Sequence, residues 1–437
     1  MTYMTKLKAE ERREAEPAGN MPRPEVAVIG GGAAGMMTAA TAARHGAAVT
    51  LFEREEKRGR KLGITGKGRC NLTNDCTRDE FMENVPGNAR FMFASFSAFD
   101  PRAVMEYFES LGVPLKVERG RRVFPVSDRA GDVVFALARE VDSSGCRTVH
   151  ARVEDIKVND VGGFTVTTAA GSRSFDRVVI ATGGMSYPRT GSTGDGYAFA
   201  RSMGHTVTEL RPSLVPIESG AALCREAMGL TLKNVSLTAR DAQSGKNVFS
   251  DFGELLFTHF GLSGPLALSA SAAIRNVGNT AYKAVIDLKP ALDEKTLDRR
   301  VLSDFEKFRN RDLVNSLGGL LPQKLISPFV ELVGIAPDKK VNSITRAERA
   351  RIISCLKNLV IPISGLRPVE EAVVTAGGVS VKEINPKTME SKLVPGLYFA
   401  GEIIDVDGYT GGYNLQIAWS TGHAAGIAAA FTGNNNH

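Results

Sequence analysis

The stretch VAVIGGGAAGMMTAATAARHGAAVTLFE, which runs from Val26 to Glu53, decides the predicted fold. Its first residues are β-branched and suit a buried parallel strand, and its glycine loop is followed by small residues that suit a closely packed helix. A second apolar run, residues 48–52, leads to the acidic Glu53. This order of strand, loop, helix and strand is typical of the first unit of a parallel α/β sheet that binds a dinucleotide.

The glycines of this stretch follow the pattern G-x-G-x-x-G at Gly30, Gly32 and Gly35. They permit a tight turn, a close approach of backbone to a pyrophosphate, and close packing of helix on strand. The first-turn N–H groups and the dipole of the new helix favour the phosphate charges. Glu53 is placed to accept hydrogen bonds from the adenosine ribose. An ordinary glycine-rich turn is the alternative. The predicted contacts are Gly30, Gly32, Ala33, Ala34, Gly35 and Glu53.

The composition predicts a globular protein of two or three domains, because 437 residues exceed what one compact core usually holds and 43% of them are hydrophobic. Glycines break the uncharged stretches 26–43 and 257–274, so no transmembrane helix is expected. Residues 1–22 are expected to form a mobile tail, with Met21 as an alternative start. Since they lack an apolar segment, they are not expected to be a secretory signal.

Five scattered cysteines without a C-x-x-C pair argue against a disulfide framework, a zinc site or a dithiol redox centre. We therefore expect no bound metal and a reducing, cytoplasmic location. The formal charge of +6 suits an anionic ligand or, less well, a nucleic acid, although an ordinary basic surface is the commonest cause.

A second glycine-rich stretch, EREEKRGRKLGITGKGRCNLTN at residues 53–74, alternates glycines with Lys and Arg. Glycines let backbone amides close on a flat or charged ligand, and the cations can neutralise phosphate. We interpret this basic loop as part of the cofactor site, the alternative being a solvated turn. Cys70 is expected to be a packing residue rather than a redox thiol. The predicted contacts are Arg54, Lys61, Gly63, Gly66, Gly68, Arg69, Cys70 and Asn71.

Two later strands complete the pattern, RVVIATGG at residues 177–184 and LYFAGEIIDVDG at residues 397–408. With the early glycine fingerprint, this order resembles the two-part FAD fold of the glutathione-reductase and fumarate-reductase type. In that fold a terminal acid reaches the ribityl chain or the pyrophosphate. Asp405 is the first candidate for this acid and Glu402 the second, and a surface turn is the alternative. The implied contacts are Ala181, Thr182, Gly183, Gly401, Glu402 and Asp405.

Three longer strings, GRKLGITGKGRCNLTN, GELLFTHFGLSGP and GEIIDVDGYTGGYNLQIAWSTGHAAG, resemble the BaiN/YhiN-type family of bacterial FAD-dependent oxidoreductases, also labelled aminoacetone oxidase-like. The family implies an α/β fold in which a two-part Rossmann-like FAD-binding domain holds an inserted β-barrel-like and helical domain. The expected boundaries are 23–191 and 369–437 for the two parts and 192–368 for the insert. The insert is expected to be β-rich over about 192–290 and helical over about 291–360.

Candidates for the substrate side of the flavin come from a turn, a histidine and a helix start. Asp195 belongs to a TGDG turn that is similar to one lying over the isoalloxazine in fumarate-reductase-like flavoenzymes. His259 suits proton transfer, with a structural histidine as the alternative. The last helix should begin near Tyr413, a further catalytic candidate, and its dipole would stabilise negative charge on the reduced flavin. Its predicted cofactor contacts are Gly412, Asn414, Leu415 and Gln416.

The family resemblance implies an oxidoreductase with non-covalent FAD that passes a hydride through flavin N5 to a small organic acceptor, such as an activated carbon–carbon double bond. NAD(P)H is the expected donor, although no second dinucleotide fingerprint is present. A flavin amine oxidase that uses oxygen is the alternative within enzymes. An RNA-binding or RNA-modifying flavoprotein is the alternative of another class, and the lack of an aromatic-basic motif argues against it. We expect a small-molecule substrate and no membrane partner.

Overall fold

The computed structural model describes residues 23–275, 277 and 280–431. The predicted N-terminal tail and the alternative start at Met21 lie outside these residues. The chain divides into two compact units. Unit 1 contains the residues up to Arg211 and those from Val373 onward, and unit 2 is Pro212–Ala372.

The strands, in chain order, are β1 Glu25–Ile29, β2 Ala48–Glu53, β3 Thr73–Asn74, β4 Leu115–Glu118, β5 Arg122–Pro125, β6 Arg147–His150, β7 Val153–Val158, β8 Phe164–Thr168, β9 Gly171–Phe175, β10 Arg177–Ile180, β11 Arg211–Ser213, β12 Ile217–Glu218, β13 Thr231–Asp241, β14 Asn247–Thr258, β15 Gly261–Ser263, β16 Tyr282–Asp287, β17 Leu359–Ile363, β18 Gly365–Leu366, β19 Val374–Ala376 and β20 Leu397–Phe399.

The α-helices are α1 Ala33–Arg44, α2 Arg60–Ile64, α3 Arg78–Glu83, α4 Phe93–Ala98, α5 Pro101–Ser110, α6 Ala130–Ser143, α7 Asp195–Ser202, α8 Ala222–Glu226, α9 Gly264–Ala273, α10 Glu294–Lys307, α11 Gln323–Val333, α12 Arg346–Lys357 and α13 Tyr413–Ala430.

The centre of unit 1 is a parallel sheet of five strands in the order β20-β10-β1-β2-β6. Val28 of β1 pairs with Val179 on one side and Leu51 on the other, and all three side chains are buried. Apolar residues suit a parallel sheet because helices cover its faces. Parallel strands bring their ends to one side of the sheet. We call this side the carboxyl edge; along the sheet it carries Ala400, Ala181, Gly30 and Glu53.

The first and last helices of unit 1 pack closely against each other through glycines of α13. A Cβ atom at Gly422 would lie 2.6 Å from the oxygen of Ala34, and one at Gly426 would lie 2.8 Å from the oxygen of Thr38. The Thr38 hydroxyl also donates a 3.1 Å hydrogen bond to the Gly422 oxygen. The two ends of the chain therefore complete one domain, which confirms the predicted two-part Rossmann-like architecture.

Unit 2 is built on an antiparallel sheet of seven strands in the order β17-β16-β13-β14-β15-β12-β18. Its edge strands are β17 and β18, and only Ser364 separates them along the chain. Because consecutive Cα atoms are about 3.8 Å apart, the sheet must curl until its two edges are neighbours. This curl gives the insert the barrel-like character that the family resemblance implied.

The helices α10, α11 and α12 follow the strand β16, and α10 buries Leu297, Val301 and Phe305. The insert itself was expected to start at residue 192, whereas α7 belongs to unit 1. The reason is Gly196, where a Cβ atom would lie 2.2 Å from Thr182 Oγ1. The helix α7 is thus packed directly on the end of β10, and the boundary lies near residue 212 instead.

Candidate cofactor site

The loop after β1 has the geometry that a bound pyrophosphate requires. Gly30 has a φ of +107°, and a Cβ atom there would lie 2.6 Å from the Ala181 oxygen. A Cβ atom at Gly35 would lie 1.8 Å from the Gly30 oxygen, so only glycine permits this close packing of α1. A Cβ atom at Gly32 would meet no described atom within 4 Å. The chain itself leaves room at Gly32, so a ligand at the N-terminus of α1 stays the predicted reason for this glycine.

The carboxylate of Glu53 faces this loop. Its Oε2 accepts a 2.8 Å hydrogen bond from the Gly31 N–H, and its Oε1 accepts one of 2.8 Å from the Glu55 N–H. These bonds hold the carboxylate at the end of β2, where the ribose of a dinucleotide is expected. Each carboxylate oxygen keeps a further lone pair that a ribose hydroxyl can use.

Two buried oxygens near the carboxyl edge and the basic loop have no hydrogen-bond partner among the described residues. They are Thr182 Oγ1, just after β10, and Asn71 Oδ1, at the end of the basic loop. Leaving a buried polar atom unpaired costs about 1–3 kcal/mol, so each needs a partner that the protein does not supply. Together with the space at Gly32 and the acid at Glu53, these atoms fit FAD.

Some of the cations that the basic loop was expected to offer to phosphate are paired with acids of the protein instead. Arg69 lies 2.5 Å from Glu118 and 2.6 Å from Asp128, and its guanidinium lies over the ring of Phe124 at 4.2 Å. The expectation that Arg69 contacts the cofactor is therefore corrected, because acids and an aromatic ring from neighbouring elements occupy it. Two more cations of the loop, which were not predicted contacts, form the ion pairs Arg58–Asp142 and Arg60–Glu55.

Cys70 is fully buried, and burial raises the pKa of its thiol to about 12. A thiol with such a pKa stays protonated at neutral pH and is unreactive, as expected of a packing residue. Among the predicted glycine contacts of the basic loop, Gly63 lies in α2, and Gly66 and Gly68 lie in the 3-10 helix Thr65–Gly68 that follows it.

Lys61 and Glu402 form an ion pair between the two parts of unit 1. Lys61 Nζ lies 2.7 Å from Glu402 Oε2 and donates a 2.6 Å hydrogen bond to the Ser186 hydroxyl. Glu402 Oε1 accepts from the Ser186 hydroxyl at 3.0 Å and from the Thr375 N–H at 2.9 Å. This cluster, which we call the Lys61 cluster, follows the ends of β10 and β20. It therefore lies on the opposite side of β1 from Glu53.

Asp405, the first choice for the terminal acid, is half-buried. Its backbone is held by a 3.0 Å bond from its N–H to the Val379 oxygen and by a 2.7 Å bond from Asn88 to its own oxygen. Within the described chain its carboxylate has no hydrogen bond or ion pair, so it is open to a ligand. Glu402, by contrast, is already paired, and both acids stay predicted contacts.

The start of α13 corrects two side-chain assignments. Asn414 accepts a 2.8 Å hydrogen bond from the Gly408 N–H and donates one of 2.7 Å to the Gly408 oxygen. Gln416 is 1% exposed, accepts from the Thr73 hydroxyl at 2.6 Å and donates to the Phe99 oxygen at 2.8 Å. Both side chains hold the protein together and are not available to FAD. The backbone of Gly412 and Leu415, at the first turn of α13, remains the predicted contact.

Tyr413 is buried, with its ring 6.1 Å from that of Phe81. This core position does not favour the predicted catalytic role, because a reacting side chain must reach the substrate. Ala33 and Ala34 are the first residues of α1, and Ala181, Thr182 and Gly183 follow β10 directly. Gly401 follows Ala400 at the carboxyl edge, and a Cβ atom there would lie 2.7 Å from the Cβ of Ala34.

Asp195, at the start of α7, is held by two arginines. It accepts hydrogen bonds of 2.9 and 3.0 Å from Arg152 and one of 3.2 Å from Arg54. Burial opposes ionisation, but hydrogen bonds from Arg152 and Thr193 outweigh it and hold the pKa of Asp195 below its ordinary value. Since Arg54 adjoins Glu53, α7 begins on the ribose side of the carboxyl edge. The next residue, Gly196, packs on Thr182 at the end of β10. The two arginines do not favour a catalytic role for Asp195, and its expected place over the flavin ring stays a prediction.

His259 lies in unit 2, in the turn between β14 and β15, and is exposed. The centroid of its ring lies 5.0 Å from that of Phe260. Its predicted place beside the flavin stays a prediction.

Sequence reasoning missed Ser186 and Thr375, which complete the Lys61 cluster. Ser186 follows β10 and ends the string ATGGMS, and Thr375 belongs to β19 in the string VVTAGG. Each string contains a glycine pair directly after the small residues that end or follow the strand. That repeated pattern of small residues after a β-branched run was the available signal. Arg152, the partner of Asp195, carries no comparable signal because it lies in an irregular segment between β6 and β7.

The family described as HI0933-like protein Rossmann domain matches residues 24–428. The chain belongs to this family. The HI0933-like chain is 33% identical over 416 residues to the 3-dehydro-bile acid delta(4,6)-reductase of Clostridium scindens, a match that spans 93% of this chain and 98% of the relative. It is 32% identical over 406 residues to the ribosomal RNA dihydrouridine synthase of Escherichia coli, spanning 92% and 97%. The predicted BaiN/YhiN-type membership is confirmed.

The solved structure of 3-ketosteroid delta1-dehydrogenase from Sterolibacterium denitrificans is also similar to this HI0933-like chain. The two are 11% identical, the match covers 93% of this chain and 99% of that chain, and the TM-score is 0.50. At this identity the likeness concerns the fold. With the family and the fit of the site to FAD, the chain is an FAD-dependent oxidoreductase.

Within the described residues, no helix is long and apolar enough to span a membrane. The same residues contain no group of three or more His, Cys, Asp or Glu side chains that would hold a metal ion.

Proposed function

We propose that the protein uses non-covalently bound FAD, reduced by NAD(P)H, to reduce a carbon–carbon double bond conjugated to a carbonyl in a small organic molecule. The observation that carries this proposal is the chemistry shared by the names of two relatives, each similar to this chain over more than nine-tenths of its length.

The two names describe different molecules and one kind of bond. In a 3-dehydro-bile acid with delta(4,6) unsaturation, the double bonds are conjugated to the ketone at carbon 3. Dihydrouridine is uridine in which the double bond next to a carbonyl has been reduced. In both cases a two-electron reduction saturates an electron-poor double bond. Because the names of two such different relatives share this bond type, we expect the site to recognise the conjugated double bond rather than one particular carbon skeleton.

When bound and reduced, FAD supplies a hydride. The chain supplies binding and orientation: Gly32 and the start of α1 for the pyrophosphate, Glu53 for the ribose and the Lys61 cluster beyond β10. The reduction also needs a proton, and His259 is one candidate donor.

NAD(P)H is the proposed electron donor although the sequence has only one dinucleotide fingerprint. The donor would therefore bind without a Rossmann domain of its own and react from the same face as the acceptor, in alternation with it. A cytoplasmic location, proposed from the scattered free cysteines, would make this donor available.

Reduction of a uridine within ribosomal RNA is the second candidate function. The identity to the E. coli relative and the net charge of +6 favour it. Unit 2 contributes a net charge of +4 from 21 Lys and Arg against 17 Asp and Glu. Filter binding to ribosomal RNA should then weaken steeply with salt, because phosphate contacts release counterions. Binding that is weak at low salt and insensitive to it would exclude this candidate.

The flavin amine oxidase remains the alternative within enzymes, and neither relative's name describes such a reaction. One survey separates the three functions. The protein is reduced without oxygen and mixed with 2-cyclohexenone, progesterone, uridine, unmodified ribosomal RNA or oxygen. We expect an enone to restore the yellow colour fastest. Fast reaction with RNA alone supports the second candidate, and fast reaction with oxygen together with reduction by amines supports the oxidase.

A further inference from the structure

Tyr187 stands out from the residues around the site because it combines exposure with backbone strain. Its side chain is 37% exposed, and its backbone is left-handed, with φ of 51° and ψ of 58°. A residue with a Cβ atom rarely adopts this conformation, because the Cβ atom crowds the backbone there. Strain of this kind persists only where the surroundings enforce it.

The surroundings of Tyr187 do enforce it, from both sides. The Tyr187 oxygen accepts a 2.8 Å hydrogen bond from the Thr190 N–H and one of 2.7 Å from the Thr190 hydroxyl. On the preceding side, the Ser186 N–H donates to Thr375 Oγ1 at 3.2 Å and the Ser186 hydroxyl donates to Glu402 at 3.0 Å. The phenol is therefore presented to solvent by a fixed backbone.

The position of Tyr187 follows from the order of strands. Glu53 at the end of β2 marks the ribose, and the loop after β1 marks the pyrophosphate. An extended dinucleotide that passes β2 and then β1 continues toward β10 and β20. Ser186 and Glu402, which follow those strands, lie at that end. Tyr187 adjoins Ser186, whereas Gly191, at the other end of the same turn, lies against Glu55 and Arg54 on the ribose side. The turn therefore runs along the carboxyl edge with Tyr187 at its flavin end.

Among the other protic side chains of this region, Lys61 and Ser186 are engaged, and the Thr182 hydroxyl, which has no partner within the described ranges, is buried away from water. Lys61 donates to Glu402 and Ser186, and the Ser186 hydroxyl donates to Glu402. The hydroxyl of Tyr187 has no hydrogen-bond partner in the part of the chain that the structure describes. An exposed hydroxyl can also recover a proton from water after each turnover.

We propose that Tyr187 is the catalytic proton donor to the acceptor, an inference that rests on the proposed reduction of a conjugated double bond. The double bond gains a hydride, which reduced FAD supplies, at the carbon remote from the carbonyl. The carbon next to the carbonyl gains the proton as the Tyr187 O–H bond breaks, and the resulting phenolate takes a proton from water. The acceptor is thus reduced by two electrons and FAD is oxidised by two.

The test uses the FAD-loaded protein and its variant Tyr187→Phe, which loses only the hydroxyl. Both are reduced without oxygen and mixed with 2-cyclohexenone and with progesterone in a stopped-flow instrument. We expect the variant to be reoxidised about 10²- to 10⁴-fold more slowly, as for loss of a positioned acid. Reduction by NAD(P)H, which needs no proton from Tyr187, should keep its wild-type rate and serves as the control within the same variant. His259→Asn is measured alongside, because His259 is the rival candidate for the proton donor.

A second readout does not depend on turnover. Treatment of the oxidised FAD-loaded protein with tetranitromethane should nitrate Tyr187, and progesterone should protect it, as measured by mass spectrometry of the peptide. If wild type is reoxidised by an enone and Tyr187→Phe reacts equally fast, or if His259→Asn alone is slow, the inference is overturned while the proposed function stands. If neither enone reoxidises wild type, the proposed function itself fails. Nitration that progesterone leaves unchanged also counts against Tyr187.

Discussion

The ammonium of Lys61 lies 2.7 Å from the carboxylate of Glu402, although 341 residues separate them in the sequence. One residue comes from the basic loop after β2 and the other from the end of β20. The ion pair therefore joins the early and late parts of unit 1 beside the predicted flavin end. Because the side chains are only 23% and 19% exposed, solvent screens the pair less than an ordinary surface pair.

Breaking this pair should destabilise the apoprotein. Lys61→Met leaves Glu402 half-buried and unpaired, and we expect a loss of about 1–2 kcal/mol, between the values for exposed and buried pairs. Urea unfolding measures it, with the exposed Lys57→Met as the control. A double-mutant cycle with Glu402→Gln that gave no coupling would show that the pair contributes nothing.

Replacement by alanine should affect different properties at two glycines of the G-x-G-x-x-G pattern, stability at Gly35 and FAD affinity at Gly32. Gly35→Ala places a Cβ atom 1.8 Å from the Gly30 oxygen, so we expect a loss of about 1–3 kcal/mol or more in the free energy of unfolding. Gly32→Ala meets no described atom, so the apoprotein should keep its stability within about 0.5 kcal/mol but bind FAD poorly. Isothermal titration with FAD decides the matter. Wild-type affinity in Gly32→Ala would contradict the assigned pyrophosphate site.

Glu53→Ala removes the carboxylate that we assign to the ribose. Hydrogen bonds to a charged group contribute roughly 1.5–3 kcal/mol. FAD affinity should therefore fall roughly ten- to 150-fold, measured by the recovery of flavin fluorescence on release. Glu56→Ala, an exposed acid three residues away, is the matched control. Equal affinity in both variants would mean that another residue holds the ribose.

Asp195 should contribute to stability rather than to chemistry. Its pKa is held below the ordinary value of about 3.9, so its ion pairs stabilise the fold above that pH, and this contribution is lost as pH falls through the lower folded-state pKa. The difference in unfolding free energy between wild type and Asp195→Asn should be largest at neutral pH and shrink below about pH 4. Both flavin half-reactions should survive in the variant. If Asp195→Asn is no longer reoxidised while FAD stays bound, the result would support the predicted catalytic role of Asp195 instead.

The fold was predictable from sequence because its signals are local. Gly30 and Gly35 lie within six residues of each other, and the positive φ of Gly30 and the contact of Gly35 with the Gly30 oxygen both belong to that loop itself. Glu53 was predictable for the same reason, since strand and acid are adjacent.

Side-chain partners were not predictable, because they depend on elements that are distant in sequence. Arg69 looked like a free cation until the structure placed Glu118 and Asp128 beside it. Gln416 looked like a ligand of the cofactor, whereas Thr73 and Phe99 occupy it. A sequence shows which groups are present. Whether a cation such as Arg69 pairs with an acid of the protein or with a ligand depends on which side chains the fold brings beside it.

The most direct test of the central claim is a single turnover without oxygen. The protein is loaded with FAD, reduced with one equivalent of NADPH or NADH, and mixed with excess progesterone and, separately, 2-cyclohexenone, and the flavin absorbance and the products are followed together. The account predicts that each FAD reoxidised yields one molecule in which the conjugated double bond is saturated and the carbonyl is intact. Reduced FAD that persists with both enones and is reoxidised only by oxygen would contradict it.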